Sequence, residues 1–191
     1  MKSLGIDINV NGATLVEVSA DRGGFEVVRA EFYPLNPNDV DNWQLDLLQG
    51  LKSFSKNYPL EHQTLVVGLP QRLVSVRNLQ FPFHRRLDIL KSLPFELEEE
   101  LPFGSDDSYF DAKTVSQNPN ETSVLTFATP QKEVSALVEM LSHVQIDPDI
   151  ISCEGSAFAN LIEDWQNGSF LPSAPEAIPT PMVMRDQKSV V

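Results

Sequence analysis

Few side chains in this sequence are spaced for chemistry. The earliest is Asp7, in SLGIDINV, followed by Asn9 and by the pair Asn11-Gly12. A carboxylate at the end of a strand could bind a cation, cap a turn or stay solvated. With no second ligand identified beside it, capping or solvation is the simpler role. His62, His84 and His143 are scattered, and their spacing matches neither a metal site nor a catalytic pair. Cys153 is the single cysteine. Nothing near it in sequence would favour the thiolate, so it reads as a buried, inert thiol. The nucleophile elbow, the phosphate-binding P-loop and the dinucleotide fingerprint are missing. Carboxylates are plentiful, yet plenty is not pairing, and the sequence gives no sign that two converge as an acid and base pair would. The sequence offers no catalytic set and no metal site.

Charge is more informative. The 191 residues carry 27 acids against 14 bases, a net −13. Such a surface repels phosphates, which argues against nucleic acid and anionic lipid and favours basic protein segments as partners. The acids are densest in LPFELEEELPF, Leu93 to Phe103, which follows the helix-like run HRRLDILKS. Leu87, Leu90, Leu93, Leu97 and Leu101 recur at steps of three and four, the stripe of an amphipathic helix, with Glu96, Glu98, Glu99 and Glu100 opposite. Pro94 removes a backbone donor inside this pattern and predicts a kink or break, and Pro102 should end the element. Two roles remain open for it: a packed surface helix with solvated acids, or a docking element for a basic partner. Arg72, Arg77, Arg85 and Arg86 form the most basic patch. They either solvate the helix start and pair with the nearby glutamates or line a binding groove.

The elements that must position these residues follow from periodicity. SLGIDINV and ATLVEVS read as two strands around an Asn11-Gly12 turn, and FEVVRAEFY, Phe25 to Tyr33, adds a third to the meander. Asp39 or Asp41 could cap a helix carrying Trp43, Leu47, Leu48, Leu51 and Phe54 on one face, ending near Asn57. Thr64 to Leu69, TLVVGL, is a continuous apolar run expected to be a central strand buried on both faces. Leu73 to Leu79 reads as a further strand. Ser108 to Val115 and Thr122 to Thr129 read as an antiparallel pair, and Pro130 opens a helix with Val134, Leu137, Val138 and Leu141 on one face. Asp149 to Cys153 is a short strand, and Ser156 to Trp165 a final helix. Strands alternating with helices predict an α/β (α+β) fold built on a mixed sheet. From Gln166 onward, closely spaced prolines without apolar period read as a linker or disordered tail. No internal repeat is visible. A single cysteine suits a reducing compartment, and with no membrane-length apolar run and no signal peptide the expected location is the cytoplasm.

Three of these segments resemble a known family in their order and spacing. LGIDINVNGATLVEVS is similar to the opening of the PilM family of pilus-assembly proteins. LPFELEEELPF with the later SYFDAKTV resembles that family and the GspL-like proteins of type II secretion, and DPDIISCEGSAFANL resembles the segment closing their first half. The resemblance implies an actin-like fold: a ribonuclease H-like subdomain from residues 1–70 plus 146–166, an inserted subdomain at 71–145, and a tail at 167–191. It also implies where ligands would sit. In actin-like ATPases the first hairpin turn cradles nucleotide phosphate with an early aspartate serving magnesium, which here would be Asp7, Asn9, Asn11, Gly12 and Thr14. Two of these depart from the family pattern, Asn9 replacing a glycine and Thr14 a lysine. By the same resemblance, a groove lined by Leu69, Pro70 and Arg77 would hold a short cytoplasmic peptide of an inner-membrane partner.

The function implied is a non-enzymatic cytoplasmic scaffold of a pilus or type II secretion platform, linking membrane assembly proteins to the motor ATPase, with Glu98, Glu99 and Glu100 docking a basic partner. No cofactor is expected for this chain alone. The alternative is an actin-like nucleotide-binding domain, with ATP and magnesium held only when a second half completes the site. A ribonuclease H-like nuclease would need several convergent carboxylates for two metals and is disfavoured by charge.

Overall fold

The computed structural model describes residues 2–21, 24–35, 43–57 and 63–166. The chain opens with an antiparallel meander of β1 (Lys2–Asn9), β2 (Gly12–Asp21) and β3 (Gly24–Pro34). Asn9 and Gly12 close the first hairpin, so Val10 and Asn11 form the turn, one residue earlier than the Asn-Gly signal suggests. Helix α1 (Trp43–Asn57) returns the chain to β4 (Thr64–Leu69), which lies parallel beside β1. The last strand, β8 (Ile150–Cys153), adds in parallel to β4, completing a five-stranded sheet ordered β3-β2-β1-β4-β8. Asp149 guides it in: its carboxylate accepts the Leu65 N–H at 2.8 Å, and its own N–H donates to the Leu65 carbonyl at 3.0 Å.

Alternation sets the two faces of this sheet. Leu4, Ile6, Ile8, Ala13, Leu15, Leu65 and Val67 point into a core shared with Leu47, Leu51 and Phe54 of α1. A helix of 15 residues is marginal alone in water, so burying these three side chains is what holds α1. The opposite face, with Gly5, Asp7, Thr14, Val16, Val66 and Gly68, is only half-buried. The expectation that TLVVGL is buried on both faces therefore fails: Leu65, Val67 and Leu69 are buried, but Thr64, Val66 and Gly68 are not.

Beyond β4, Pro70 and a 3-10 turn (Gln71–Leu73) rotate the chain into a second sheet. That turn consumes the residues read as the start of a strand, so β5 runs Ser75–Phe81. With β6 (Ser108–Gln117) and β7 (Thr122–Pro130) it makes a three-stranded antiparallel sheet ordered β5-β7-β6. Helix α2 (Arg86–Glu96) covers one side. Its buried residues are Ile89 and Leu93, continued by Leu97 after the helix, against Phe81, Phe110, Ala112, Val124 and Ala128. Leu90 and Leu101 pack at the margin as expected, whereas Leu87 is exposed. The stripe is rotated because Ile89, not Leu87, faces the sheet.

Pro94 lies inside α2, and the helix ends two residues later. Glu98, Glu99 and Glu100 therefore stand in a turn closed by the Glu100 N–H to the Leu97 carbonyl at 3.0 Å, not on a helix face, and Pro102 lies beyond the end.

Helix α3 (Gln131–Ser142) starts after Pro130 and joins the sheets. Val134, Leu137 and Val138 pack with Leu69, Val74, Phe127, Ile151 and Cys153 in a junction core, while Leu141 reaches the core of the first sheet. Helix α4 (Glu154–Gln166) follows β8 directly. The proposed cap residues Asp39 and Asp41, His62 and the tail at 167–191 lie outside the described residues.

Candidate functional site

The β1–β2 turn is held by its own side chains. Asn9 Nδ2 donates to Asp7 Oδ2 at 2.9 Å, and Asn9 Oδ1 accepts the Asn11 N–H at 2.9 Å. Asp7 and Thr14 face each other across β1 and β2, and Gly68 stands opposite Asp7 on β4. A Cβ at Gly68 would come within 3.3 Å of Asp7 Oδ1, so the glycine leaves room for the carboxylate. Gly12 has φ +153°, and a Cβ there would meet the Tyr33 carbonyl oxygen at 2.1 Å. Only glycine fits that position. Five residues singled out in the sequence, Asp7, Asn9, Asn11, Gly12 and Thr14, are thus brought together at the β1–β2 turn, with Asp7, Asn9 and Thr14 half-buried, Gly12 buried and Asn11 exposed, and with a capping role for Asn9 that replaces open backbone by an amide.

The second place is the passage between the sheets. Leu69 points into the junction core and is buried, because β4 alternates and Leu69 shares its side with Leu65 and Val67. Pro70 is half-buried beside it. Gln71, which sequence reasoning missed, ties this passage to α4. Its N–H donates to Glu154 Oε2 at 3.0 Å, and its Oε1 accepts the Gly155 N–H at 3.0 Å. Nothing in the sequence marks a glutamine for this, since its two partners lie more than eighty residues away. Lys113 Nζ donates to Asn160 Oδ1 at 3.0 Å, a second tie from α4 to the smaller sheet.

The third place joins two residues proposed for partner binding. Arg77 Nε lies 3.4 Å from Glu100 Oε2, and its Nη2 donates to the Glu100 carbonyl at 3.2 Å. Both side chains remain partly exposed, so the pair is screened by water and its net stabilisation is small. Arg85 pairs with Asp88 at 3.8 Å, and Arg86 reaches both the Asp111 carboxylate and the Ala112 carbonyl. Three of the four arginines of the basic patch are therefore engaged with acids, and Arg72 is exposed. Glu98 and Glu99 project freely into solvent beside Glu96.

Other titratable groups stay apart. His84 Nδ1 lies 2.7 Å from Thr122 Oγ1, and His143 is exposed at the end of α3. Among the described residues no three of His, Cys, Asp and Glu gather as a metal site would require. Cys153 is buried, and burial pushes its thiol above the usual range, against a smaller opposing effect of the Ser156 backbone N–H. Among the described residues no helix is long and apolar enough to cross a membrane.

A mixed five-stranded sheet with a smaller three-stranded sheet and helices is the α/β (α+β) class that the order of elements predicts. Within that class the chain belongs to the type IV pilus assembly protein PilM family, whose model matches residues 5–177. The fold is similar to a chain of a PilM-PilN type IV pilus biogenesis complex, with TM-score 0.69 and 21% identity over 84% of this chain and 49% of that one. It is also similar to the cytoplasmic domain of EpsL, an inner membrane component of the type II secretion system of Vibrio cholerae, with TM-score 0.55 and 15% identity over 79% of this chain and 56% of that one. The chain thus spans about half the length of these solved structures. No curated protein matches it in sequence.

Proposed function

We propose that the chain is a cytoplasmic adaptor of a type IV pilus or type II secretion platform, holding a short segment of an inner-membrane assembly protein and linking it to the motor ATPase. The observation that carries this reading is membership of the PilM family, together with a fold shared with a chain from a complex named for two pilus proteins. In this reading residues 1–70 with 146–166 form one subdomain and 71–145 the inserted one, and the bound segment lies where they meet, over Pro70 and toward Arg77. The exposed Glu98 and Glu99, with Glu100, supply a field that selects a basic segment. The adaptor performs no catalysis.

The test is fluorescence anisotropy of the full chain with labelled peptides from the cytoplasmic ends of inner-membrane pilus and secretion proteins. Binding of one such peptide, weakened by joint reversal of Glu98, Glu99 and Glu100 to lysine and by added salt, supports the adaptor and its acidic dock. Unchanged affinity after the triple reversal removes the dock, and no binding by any peptide removes the adaptor.

A second reading rests on the cluster of Asp7, Gly12, Thr14 and Gly68: an actin-like nucleotide site completed by a further half. Asn9 weighs against it, since its amide already engages Asp7 and the Asn11 N–H. A rise in melting temperature with Mg-ATP would favour this reading, because a ligand that binds only the folded state stabilises it.

A further inference from the structure

We propose that Gln71 is a positioning residue for the segment held between the sheets: it latches the turn after Pro70 to the start of α4 and so presets the passage. This role rests on the adaptor reading. Between the sheets, Val134, Leu137 and Val138 of α3 pack with Leu69, Ile151 and Cys153. Burial of apolar surface is non-directional, so such a core resists separation and sets the angle between the sheets only loosely. Directional bonds define that angle more sharply.

Gln71 opens the 3-10 turn that leaves Pro70, and it grips α4 through two groups at once. Its N–H donates to Glu154 Oε2 at 3.0 Å, and its Oε1 accepts the Gly155 N–H at 3.0 Å. Two bonds from one residue to two successive residues fix orientation as well as distance. The second also satisfies an N–H that the start of a helix leaves without an intrahelical acceptor, from 84 positions away. On the turn's own side, Gln71 Nε2 donates to the Val74 carbonyl at 3.4 Å. Farther along α4, Asn160 Oδ1 accepts Lys113 Nζ of β6 at 3.0 Å. Helix α4 therefore bears on the passage with its first turn and on the smaller sheet beyond it. Pro70 is the chain neighbour of Gln71, so what holds Gln71 also holds Pro70. A surface ordered in advance binds at lower cost than one ordered on contact.

Gly155 supplies a way to open the latch alone. A Cβ there would stand 2.4 Å from Gln71 Oε1 and 3.2 Å from its Cδ. Those atoms end a flexible side chain, so an alanine displaces Gln71 and leaves the backbone unstrained. Alanine is also favoured over glycine within a helix. Gly155→Ala thus breaks the latch without weakening α4, which separates positioning from a purely structural role.

The full chain, Gly155→Ala, Gln71→Met and the double variant would be compared by thermal melting, by thiol reactivity and by peptide binding. Cys153 directly precedes Glu154 and is buried in the junction core, so its reaction with a chromogenic disulfide reports loosening there. The binding probe is the labelled inner-membrane peptide that the unaltered chain holds best in the anisotropy assay. Gly155→Ala should melt at or above the unaltered temperature, yet react at least about fivefold faster and bind the peptide roughly three- to tenfold more weakly. Gln71→Met should show the same two changes. The double variant should bind no more weakly than either single one, because both remove one latch. Unchanged thiol rates in both single variants would overturn the latch, and losses of affinity that add in the double variant would show two separate effects and overturn it as well. Faster thiol reaction with unchanged affinity would overturn the positioning role and leave the adaptor standing. No peptide binding by the unaltered chain would remove the adaptor and the positioning role with it.

Discussion

Replacing Gly12 by alanine should damage the first hairpin far more than one methyl group suggests. At φ +153° a side chain is strained, at a cost of about 1–3 kcal/mol. The added Cβ would also sit 2.1 Å from the Tyr33 carbonyl oxygen and 2.9 Å from the Phe32 ring. The oxygen belongs to the backbone of β3, so relief requires the end of β3 to move away from β2. That puts the Leu35 N–H to Asn11 carbonyl bond and the neighbouring Ala13–Tyr33 pairing at risk. One or two weakened hydrogen bonds add roughly 0.5–3 kcal/mol. Alanine restricts the unfolded chain and returns about 0.4–1 kcal/mol. The expected net loss is about 2–4 kcal/mol, which urea unfolding reads as a midpoint lower by roughly 1–2 M. Gly104→Ala is the control, because a Cβ there meets nothing within 4 Å. It should leave the midpoint within a few tenths of its starting value or raise it slightly. Equal midpoints for the two variants would refute the reasoning, and hydrogen exchange at Leu35 would show whether the end of β3 had moved at all.

The rotation of the α2 stripe makes a paired prediction. Leu93→Ala should cost about 2–5 kcal/mol and Leu87→Ala less than about 0.5 kcal/mol in thermal or denaturant melts, since one side chain is fully buried and the other exposed. Arg86→Ala should cost roughly 1–3 kcal/mol, because the Asp111 carboxylate it contacts is 3% exposed and loses a charged donor. Adding Asp111→Asn to that variant should recover part of the loss, and a purely additive double variant would argue against coupling. The Cys153 thiol should react with a thiol reagent only as fast as the protein opens. Its folded-state pKa is raised by burial, so its contribution to stability is complete below the ordinary value of 9.0 and falls as pH rises through the folded value. Cys153→Ala should flatten that alkaline slope in a series of melts.

Local signals carried much of the fold. The strand meander, α1, the β6–β7 pair, α3 and the order of elements follow from alternation, helical period and proline placement, because each of those elements buries one face and the burial writes its own period into the residues. Segment order was also enough to indicate the family. The sequence could not decide features set by distant neighbours. Whether Leu87 or Ile89 faces inward depended on which side of α2 the second sheet approached. TLVVGL looked buried on both sides because apolar residues do not report whether a second layer covers them. Pro70 and the 3-10 turn displaced β5 through a conformation that no apolar period encodes. The site was legible only in part: Asp7, Asn9, Asn11, Gly12 and Thr14 were close in sequence and stayed close in space. The pairing of Arg77 with Glu100, the burial of Leu69 and the linkage of Gln71 to Glu154 and Gly155 join residues far apart in the chain. Such contacts arise only when the sheets pack, because a side chain's local sequence sets which way it can point but not what the rest of the chain brings to meet it.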